Sequence, residues 1–389
     1  MKIGFASPVT LKRLAHLVRD GESLPDTCSF NPSSDWASEL LIRGHEVVIY
    51  TTGFGMPAPQ TFRGDQLTIR IAAQRSRGTG RDFFAPERRQ LISLMAEDKC
   101  DVIHAHWTYE FALAAIATNI PTLVTIHDLP WNVLRYFRDP YRIVRLLMAY
   151  EVALRGRHFT AVSEDAANHF RRYMRPGATI NVVPNGLPDQ FFELEQHATT
   201  PKPGRFTYAT ILQGWSPRKN ATAALSAFGL VRERAPGSRL WMFGEGYGEG
   251  EEAQQWAVSQ NLAQDVKFIG LMPYADLLQH VRSEVDVLVH PSLDEAFSMA
   301  ALECMALRKP VIAGRSTPGF REMLGYGKAG ILTSVTNPQL LADSMTRLRD
   351  DPSLYTSLAT SAYDRASTLY RTSAVMGHYE TLYKRLLQC

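Results

Sequence analysis

The chain has 389 residues, which is too long for one ordinary hydrophobic core and predicts two domains. A hydrophobic share of 45% with 21% charged residues is typical of a folded protein and excludes an intrinsically disordered one. The formal net charge of +3 argues against a dedicated nucleic-acid binder. The longest apolar runs are the size of β-strands, short of the ~20 residues that a membrane-spanning helix needs, and the first residues lack the layout of a signal peptide.

The cysteines are widely scattered, without a CxxC pair and without histidines at metal-ligand spacing. This distribution predicts neither a structural zinc site nor a disulfide framework. It is typical of a protein in a reducing cytoplasm.

Short apolar runs alternate with longer amphipathic segments through the first half of the chain. This alternation predicts parallel strands separated by helices. The predicted strands are KIGFA (2–6), EVVIYTT (46–52), DVIHAH (101–106), PTLVTIHD (121–128), HFTAVS (158–163) and INVVPN (180–185).

A second series of strands and helices follows a stretch of turn-forming and polar residues, 189–203, which we interpret as a linker. Helical spacing then continues from about Asn337 to Gln388. The predicted strands of this series are FTYATILQ (206–213), SRLWMFG (238–244), VKFIG (266–270), VDVLVH (285–290), PVIAG (310–314) and AGILT (329–333). We therefore expect an α/β protein with two doubly wound, Rossmann-like domains that face a central cleft, an architecture shared by transferases, epimerases, kinases and binding proteins.

The segment DEAFSMAALE, residues 294–303, joins a predicted buried strand to a predicted helix. Ser298 is a good N-cap residue, which would leave the amides of residues 297–300 free at the positive end of the helix dipole. The amino end of a helix of this kind can bind phosphate. Glu295 precedes the helix and Glu303 lies about two turns along it, and both carboxylates could accept hydrogen bonds from sugar hydroxyls. The alternative is that Ser298 and the acids only cap and charge the helix.

This segment resembles the Glu-x7-Glu motif of the retaining glycosyltransferase family 4, whose members have the GT-B fold. The resemblance extends over nearly the whole chain and keeps the order of the family's landmarks. They are LIRGHEVVIYTTG, CDVIHAHW, TLVTIHDLPW, TAVSEDAANHF, NVVPNGLPDQFF, SRLWMFGEGYGE, VKFIGLMPYADL and HPSLDEAFS. The resemblance implies an acceptor-binding domain over 1–188, joined by a C-terminal helix at about 370–389, and a donor-binding domain over 204–369.

The resemblance also implies roles for individual residues. Glu295 would contact hydroxyls of the transferred sugar, and Glu303 the ribose of the nucleotide. The backbone amides of Phe297, Ser298 and Met299 would hold the diphosphate. Lys219, in GWSPRKN, matches the lysine that stabilises the leaving phosphate in place of a metal ion, and charge stabilisation is the main demand of this reaction. A solvated surface lysine is the alternative.

Two parts of the family pattern are missing. Gly214 stands where the family usually has an arginine, five positions before the lysine, and the neighbouring Arg218 is a candidate to replace that charge. The family's Gly-Gly near the first strand is also absent, and Ser7 and Thr10, which are candidate residues of the acceptor side, occupy that loop. Contacts between this loop and the diphosphate are therefore in question.

The glycine-rich run FGEGYGEG does not match the dinucleotide-binding pattern, because position 249 is Glu. In the family this loop lies beside the nucleotide, which makes Gly244 and Gly246 candidate donor-site residues. A tight turn is the alternative.

Two histidines follow predicted strands of the first domain. A lone histidine usually has a structural role. His127, followed by Asp128, matches the family histidine that lines the reaction centre, whereas His106 is expected to be structural or to face the acceptor, as is Asp128.

The sequence therefore predicts a metal-independent, retaining glycosyltransferase without a cofactor, which uses a nucleotide sugar, most readily a UDP-sugar, and a glycan or lipid-linked acceptor. The arginines between Arg135 and Arg175 are expected to form a positive surface, which suggests peripheral contact with anionic membrane at its cytoplasmic face. The alternatives are a nucleotide-sugar epimerase or phosphorylase of the same architecture and a non-catalytic nucleotide-sugar-binding protein.

Overall fold

A computed structural model describes residues 1–193 and 205–388. The chain divides into two compact units, one formed by Met1–Pro188 with Arg371–Cys389 and the other by Asp189–Tyr370. Residues 194–203 of the predicted linker lie outside the described residues. Its first residues form a turn of 3-10 helix, Asp189–Phe192, in which two phenylalanines are buried.

The first unit contains an eight-stranded sheet in the order β3-β4-β2-β1-β5-β6-β7-β8. Every strand pairing is parallel except that of β3 with β4. The order reverses at β1, as expected of a doubly wound sheet. The strands are β1 (Lys2–Ala6), β2 (Glu46–Phe54), β3 (Gln60–Arg63), β4 (Leu67–Gln74), β5 (Val102–His106), β6 (Thr122–Ile126), β7 (His158–Ala161) and β8 (Ile180–Val182).

Strands β3 and β4 were missing from the sequence prediction. In β4, Thr68 and Arg70 alternate with apolar residues, so the strand lacks the continuous apolar run of the predicted strands. Arg70 is only 7% exposed, and its guanidinium forms two hydrogen bonds with Asp98, at 2.8 and 3.0 Å. A buried arginine paired in this way behaves as part of the core, which the hydrophobic pattern cannot reveal.

Six helices accompany this sheet before the chain enters the second unit. They are α1 (Asn31–Ile42), α2 (Ala85–Asp98), α3 (Glu110–Ile116), α4 (Pro130–Tyr136), α5 (Pro140–Arg155) and α6 (Glu164–Tyr173). Helix α5 begins at Pro140 because the carboxylate of Asp139 accepts a hydrogen bond from the amide of Arg142, at 2.9 Å, which caps the first turn.

The second unit contains a six-stranded parallel sheet in the order β11-β10-β9-β12-β13-β14, and all six of its predicted strands are present. The strands are β9 (Phe206–Ile211), β10 (Ser238–Phe243), β11 (Val266–Gly270), β12 (Val287–His290), β13 (Val311–Gly314) and β14 (Ile331–Thr333). The helices are α7 (Ala221–Arg234), α8 (Glu252–Ser259), α9 (Tyr274–Glu284), α10 (Met299–Ala306), α11 (Phe320–Met323), α12 (Pro338–Asp350) and α13 (Pro352–Leu369). The strand order reverses between β9 and β12, and ligands of such sheets bind at the carboxyl ends of the strands beside this point.

The C-terminal helix α14 (Thr372–Leu386) returns to the first unit, where it packs beside α1. Its Tyr383 hydroxyl lies 2.7 Å from Nδ1 of His104, whose other ring nitrogen lies 2.6 Å from Thr125. The helical region predicted from about Asn337 to Gln388 is thus formed by three helices, α12, α13 and α14. The helices are separated at Asp351, which is the N-cap of α13, and at Arg371, which precedes α14. Helix α13 begins with a proline, Pro352, as is common at a first helical position. No helix in residues 1–193 or 205–388 is both long and apolar enough to cross a membrane.

Candidate active site

A cavity of about 250 Å³ lies in the second unit, at the carboxyl ends of β9, β10 and β12 and the amino end of α10. Of the predicted donor-site residues, Gly214, Arg218, Gly246 and Glu303 lie outside its lining. The predicted residues that line it are Lys219, Gly244, Glu295, Phe297, Ser298 and Met299. The structure thus brings together residues from three separate segments of the sequence.

Helix α10 points its amino end into this cavity. The hydroxyl of Ser298 accepts a hydrogen bond from the amide of Ala301 at 3.2 Å, so the predicted N-cap is present. Met299 and Ala300, the first residues of the helix, line the cavity. Free amides and the positive end of the helix dipole make this end suitable for an anion.

Lys219 and Glu295 form an ion pair on the wall of the cavity, with 2.5 Å between Nζ and Oε1. Their side chains are 10% and 14% exposed. The segment carrying Lys219 is held because Asn220 donates hydrogen bonds to the carbonyls of Pro291 and Val335, at 3.0 and 2.8 Å. Burial opposes ionisation of Glu295, but Lys219 and other nearby positive charges outweigh it and lower the pKa of this carboxyl.

His290, the last residue of β12, is a cavity residue that the sequence interpretation missed. It is 2% exposed, and its Nε2 lies 4.0 Å from Oε1 of Glu295. Within the described part of the chain, its buried Nδ1 has no hydrogen-bond partner. Burial lowers the pKa of His290 to about 4, so the ring is neutral at pH 7. Its place at the end of a strand and directly before Pro291 is the signal that could have identified it.

Arg218 and Glu303 lie close to the cavity without lining it. The guanidinium of Arg218 donates a hydrogen bond to the carbonyl of Asp294 at 3.1 Å, which places its charge beside the segment that carries Glu295. Glu303 accepts a hydrogen bond from the hydroxyl of Tyr274 at 2.7 Å. Both residues therefore have fixed positions at the edge of the cavity.

The glycines of this region have different structural requirements. Gly244 has φ of +111°, and a Cβ at this position would overlap the carbonyl oxygen of Leu212, so the chain needs glycine here. Gly214 has φ of +74°, but an added Cβ would meet nothing within 4 Å. A tight turn therefore explains Gly244, which also lines the cavity, whereas space remains for a side chain at position 214.

In the first unit, His106 and His127 follow neighbouring parallel strands and meet. Nδ1 of His106 lies 2.9 Å from Nε2 of His127, and the ring of His127 stacks on Trp107 with 4.5 Å between centroids. Burial lowers the pKa of His127 to about 3 and holds the pKa of His106 well below its ordinary value, so both rings are neutral at pH 7.

Two neutral rings that share one hydrogen bond restrict each other's tautomers. Nε2 of His106 is buried and lacks a partner among the residues that the structure describes. An unpartnered buried N–H is rarer in proteins than an unpartnered acceptor. This favours a proton on Nδ1 of His106, donated to Nε2 of His127, which leaves His127 with its own N–H on Nδ1.

The remaining residues predicted on the acceptor side have separate surroundings. Asp128 accepts a hydrogen bond from the hydroxyl of Tyr109 at 2.6 Å. Thr10 donates to the side-chain oxygen of Asn31 at 2.8 Å. Ser7 is fully buried, and its hydroxyl has no partner within residues 1–193 and 205–388.

The prediction that the arginines between Arg135 and Arg175 form a positive surface is wrong for three of them, Arg145, Arg171 and Arg175. Arg145 pairs with Glu110 at 2.5 Å, and its side chain is 19% exposed. Arg171 and Arg175 donate hydrogen bonds to backbone carbonyls near the ends of α5, α6 and β8. These guanidiniums form hydrogen bonds with backbone carbonyls or an ion pair with a carboxylate of the same unit. A count of charges along the sequence cannot show such contacts.

Comparison with known families gives matches over most of the chain. A family model described as Glycosyltransferase Family 4 matches residues 34–191, and one described as Glycosyl transferases group 1 matches residues 193–365. The chain is 26% identical over 315 residues to the phosphatidyl-myo-inositol mannosyltransferase of Mycobacterium tuberculosis, covering 77% of this chain and 79% of that protein. It is 29% identical over 178 residues to an exopolysaccharide phosphotransferase of Streptomyces coelicolor, which is 44% of this chain and only 18% of that protein.

Solved structures with similar folds cover the whole chain. Sucrose-phosphate synthase from Thermosynechococcus elongatus superposes with a TM-score of 0.79 at 17% identity, covering 100% of this chain and 99% of that one. HepE from Anabaena, in complex with UDP-glucose, has a TM-score of 0.69 at 17% identity, covering 99% of this chain and 100% of that one. At these identities the similarity establishes the fold.

Proposed function

The chain belongs to glycosyltransferase family 4 and has the GT-B fold, and we propose that it transfers a sugar from a UDP-sugar to a glycan or lipid-linked saccharide acceptor, in the synthesis of a polysaccharide or glycoconjugate. The observation that carries this proposal is the cavity in which the amino end of α10 and the Lys219–Glu295 pair lie together. A UDP-glucose complex among the structural neighbours supports the choice of donor.

The cavity offers a separate group to each part of such a donor. The amides at the start of α10 and the ammonium of Lys219 suit the diphosphate, because both present positive charge. Glu295 suits sugar hydroxyls, since an ionised carboxylate accepts several hydrogen bonds. Glu303, held by Tyr274, is the proposed ribose contact. The resemblance to the family implies that His127 also binds the transferred sugar.

The proposed reaction retains the configuration of the anomeric carbon. The acceptor hydroxyl oxygen bonds to that carbon on the face from which the diphosphate leaves, while the carbon–oxygen bond to the diphosphate breaks. The hydroxyl proton passes to the leaving phosphate oxygen, so the products are a glycoside and UDP. Lys219 and the helix amides stabilise the charge that develops on the leaving group, which is the role that a metal ion has in other transferases.

A donor screen tests this function. We expect UDP-sugars to raise the melting temperature more than GDP- or ADP-sugars, and the enzyme to hydrolyse its donor slowly without acceptor, also in the presence of a metal chelator. Glu295→Gln should lose most of both effects, whereas Glu233→Ala, an exposed acid on α7, should lose neither. If none of the nucleotide sugars raises the melting temperature, the proposal is refuted. Inversion in the product would refute retention alone.

Arg218 is the proposed replacement for the arginine that the family has at position 214. Its hydrogen bond to the carbonyl of Asp294 supports this, because it holds the guanidinium beside the donor cavity. Arg218→Gln should weaken UDP binding about 10-fold, as expected for the loss of one charge-assisted interaction. Adding Gly214→Arg to this variant should recover part of the affinity, and equal UDP affinity in wild type and Arg218→Gln would contradict the replacement.

A non-catalytic nucleotide-sugar-binding protein is the second candidate, and Gly214 is the observation that favours it. It predicts UDP binding without donor hydrolysis or transfer, even when cell extracts supply acceptors. Conversion of the UDP-sugar into an isomer in the absence of acceptor would instead indicate an epimerase.

We also propose peripheral contact with anionic membrane through the face formed by α4 and α5. This face exposes large apolar side chains beside the exposed Arg135 and Arg138. The apolar residues are Trp131, Tyr141, Ile143, Leu147 and Leu154, which are 39–79% exposed. Apolar and cationic side chains together favour an anionic lipid surface.

Vesicle co-sedimentation tests this contact. The protein should bind phosphatidylcholine vesicles only when they contain phosphatidylglycerol. Ile143→Ser with Leu147→Ser should weaken binding about 10-fold, since burying the exposed half of these two aliphatic side chains stabilises by about 1.5 kcal/mol. Ile42→Ser, at a position 76% exposed on α1, should not. Equal sedimentation of all three proteins would contradict the proposal.

A further inference from the structure

A second cavity, of about 400 Å³, lies in the first unit at the amino ends of β6 and β7. Residues at the carboxyl ends of three helices, α3, α5 and α14, border it. Substrates of parallel α/β sheets bind at the carboxyl ends of the strands, where His127 follows β6. This cavity therefore lies at the edge of the sheet opposite to the one that carries the candidate sugar contact.

The charged and amide side chains of this cavity are hydrogen-bond donors. They belong to Asn119, Arg155, Arg157 and His158, and no acid is among the lining residues that the structure describes. Arg155 pairs with Glu151 at 2.7 Å. The side chains of Asn119, Arg157 and His158 have neither a hydrogen bond nor an ion pair within residues 1–193 and 205–388. The cavity thus offers an uncompensated guanidinium together with an unused carboxamide and imidazole.

The arginines of this loop are not required to compensate the helix that ends beside them. Helix α5 ends at Arg155, where its last carbonyls form the negative end of the helix dipole. Arg175 already donates hydrogen bonds to the carbonyls of Ala153 and Gly156, at 3.0 and 2.5 Å. A Cβ at Gly156 would lie 2.9 Å from the carbonyl oxygen of Val152, so glycine permits the close approach made here. Other groups therefore fix this loop, and its cationic side chains remain available for a ligand.

The loop on the other side of the cavity is also held by local contacts. Asn119 has φ of +59°, a left-handed conformation in which asparagine is enriched, and its side chain is exposed. The hydroxyl of Thr118 donates to the carbonyl of Ala115 at 2.7 Å, and that of Thr122 donates to the carbonyl of Ile120 at 2.8 Å. Because both loops are already ordered, a ligand loses little affinity in ordering them.

This set of donors suits one class of ligand. A phosphate monoester has three terminal oxygens, of which a guanidinium can bind two in parallel while amide or imidazole N–H groups bind the third. Cationic groups on a concave surface also concentrate the positive potential that attracts a dianion. The rest of the wall is apolar and suits the body of an ester. Its residues are Ile116, Ile120, Pro121 and Leu386.

We propose that this cavity binds a small phosphate monoester with an apolar body, and that Arg157 and Asn119 hold its phosphate. The ligand is not a substrate of the proposed transfer, because it binds at the opposite edge of the sheet from His127. It can therefore occupy the protein together with the nucleotide. The monoester can be a free metabolite or the headgroup of a lipid, since both present the same group to Arg157.

Calorimetry with phenyl phosphate tests the site in solution. UDP is present throughout, so that the amino end of α10 is occupied. Phenyl phosphate should bind to the full chain about 10-fold more tightly than benzoate, which has one oxygen and one charge fewer. Arg157→Gln should weaken phenyl phosphate binding about 10-fold and so remove this difference. Arg89→Gln makes the same change of net charge at an exposed position on α2 and should leave the difference intact.

Asn119→Asp tests the second contact without disturbing the loop. Aspartate has nearly the same size and also adopts the left-handed conformation, so this variant should melt at the wild-type temperature in the absence of ligand. Its carboxylate replaces a donor by a negative charge, and the affinity for phenyl phosphate should fall at least about 10-fold. Unchanged affinity would show that the phosphate does not lie beside Asn119 and would overturn the proposed site.

Vesicles distinguish the two sources of the monoester. Phosphatidic acid presents a phosphate monoester at the membrane surface, whereas phosphatidylglycerol presents a diester. If the source is a lipid, phosphatidylcholine vesicles with phosphatidic acid should bind the protein better than vesicles with phosphatidylglycerol at matched surface charge. This preference should vanish in Arg157→Gln and persist in Arg89→Gln. A monoester preference in either format that depends on Arg157 supports the inference. No preference in both formats, or one that persists in Arg157→Gln, overturns it.

Discussion

Removing the cation of the Lys219–Glu295 pair should destabilise the second unit in a way that depends on pH. In Lys219→Met, Glu295 keeps its charge in a site where its side chain is only 14% exposed. Breaking a fully buried pair in this manner costs about 3–5 kcal/mol. Because this pair lines a cavity that solvent can reach, we expect a smaller loss of unfolding free energy, about 2 kcal/mol at pH 7.

The sign of the pH dependence follows from the pKa of Glu295. In the wild type this pKa lies below the ordinary 4.5, so the pairing stabilises the fold above about pH 4.5 and its contribution is lost as the pH falls through the folded pKa. In Lys219→Met the cost of burial dominates and raises the pKa above 4.5. The variant should therefore recover stability, relative to the wild type, between pH 7 and about pH 5.

Urea unfolding followed by tryptophan fluorescence measures both effects, since three of the tryptophans lie in the second unit. The double variant Lys219→Met/Glu295→Gln should recover most of the lost stability while remaining inactive, because it has neither a buried charge nor a group for the phosphate. Lys328→Met, an exposed lysine of the same unit, is the matched control. If the double variant is as unstable as Lys219→Met, charge burial is not the cause.

Three other substitutions test single features. His106→Asn keeps a hydrogen-bond donor near the Nδ1 position and should preserve turnover. His106→Gln should raise KM for the UDP-sugar and shift the ¹⁵N signals of His127 away from those of a single tautomer. Equal effects of the two substitutions would contradict control of the His127 tautomer by His106. Ser298→Ala should cost about 1 kcal/mol of stability in thermal unfolding through loss of the α10 cap, and no change would contradict it. Gly244→Ala should prevent stable folding, while Gly214→Ala should cost only about 1 kcal/mol; similar losses would refute the steric argument.

The sequence predicted the fold best where apolar periodicity decides the structure. All six strands of the second unit lie where runs such as VDVLVH and PVIAG predicted them. It failed at β4, where Thr68 and Arg70 alternate with apolar residues in place of a continuous apolar run. Its partner Asp98 is 28 residues away in the sequence, so the pairing that makes the arginine compatible with the core is visible only after folding.

The candidate site could be predicted only where one local segment determines it. The Ser298 cap follows from a residue type and the helix after it, and the structure confirms this geometry. The pairing of Lys219 with Glu295 and the distance from His290 to that acid depend on segments far apart in the sequence. The same holds for Arg145, whose compensation by Glu110 removed it from the expected positive surface.

Burial and charge divide the proposed substrate contacts into two kinds. His127 and His290 are neutral at pH 7 because burial lowers the pKa of each, to about 3 and about 4, so both can hydrogen-bond uncharged sugar hydroxyls without attracting phosphate. The ammonium of Lys219 lies in the cavity where the proposal requires phosphate. Recognition of the sugar and binding of phosphate thus depend on different side chains. Substitution of His290 should change which UDP-sugar the enzyme prefers, with little effect on its affinity for UDP. Substitution of Lys219 should lower the affinity for UDP, with little effect on that preference.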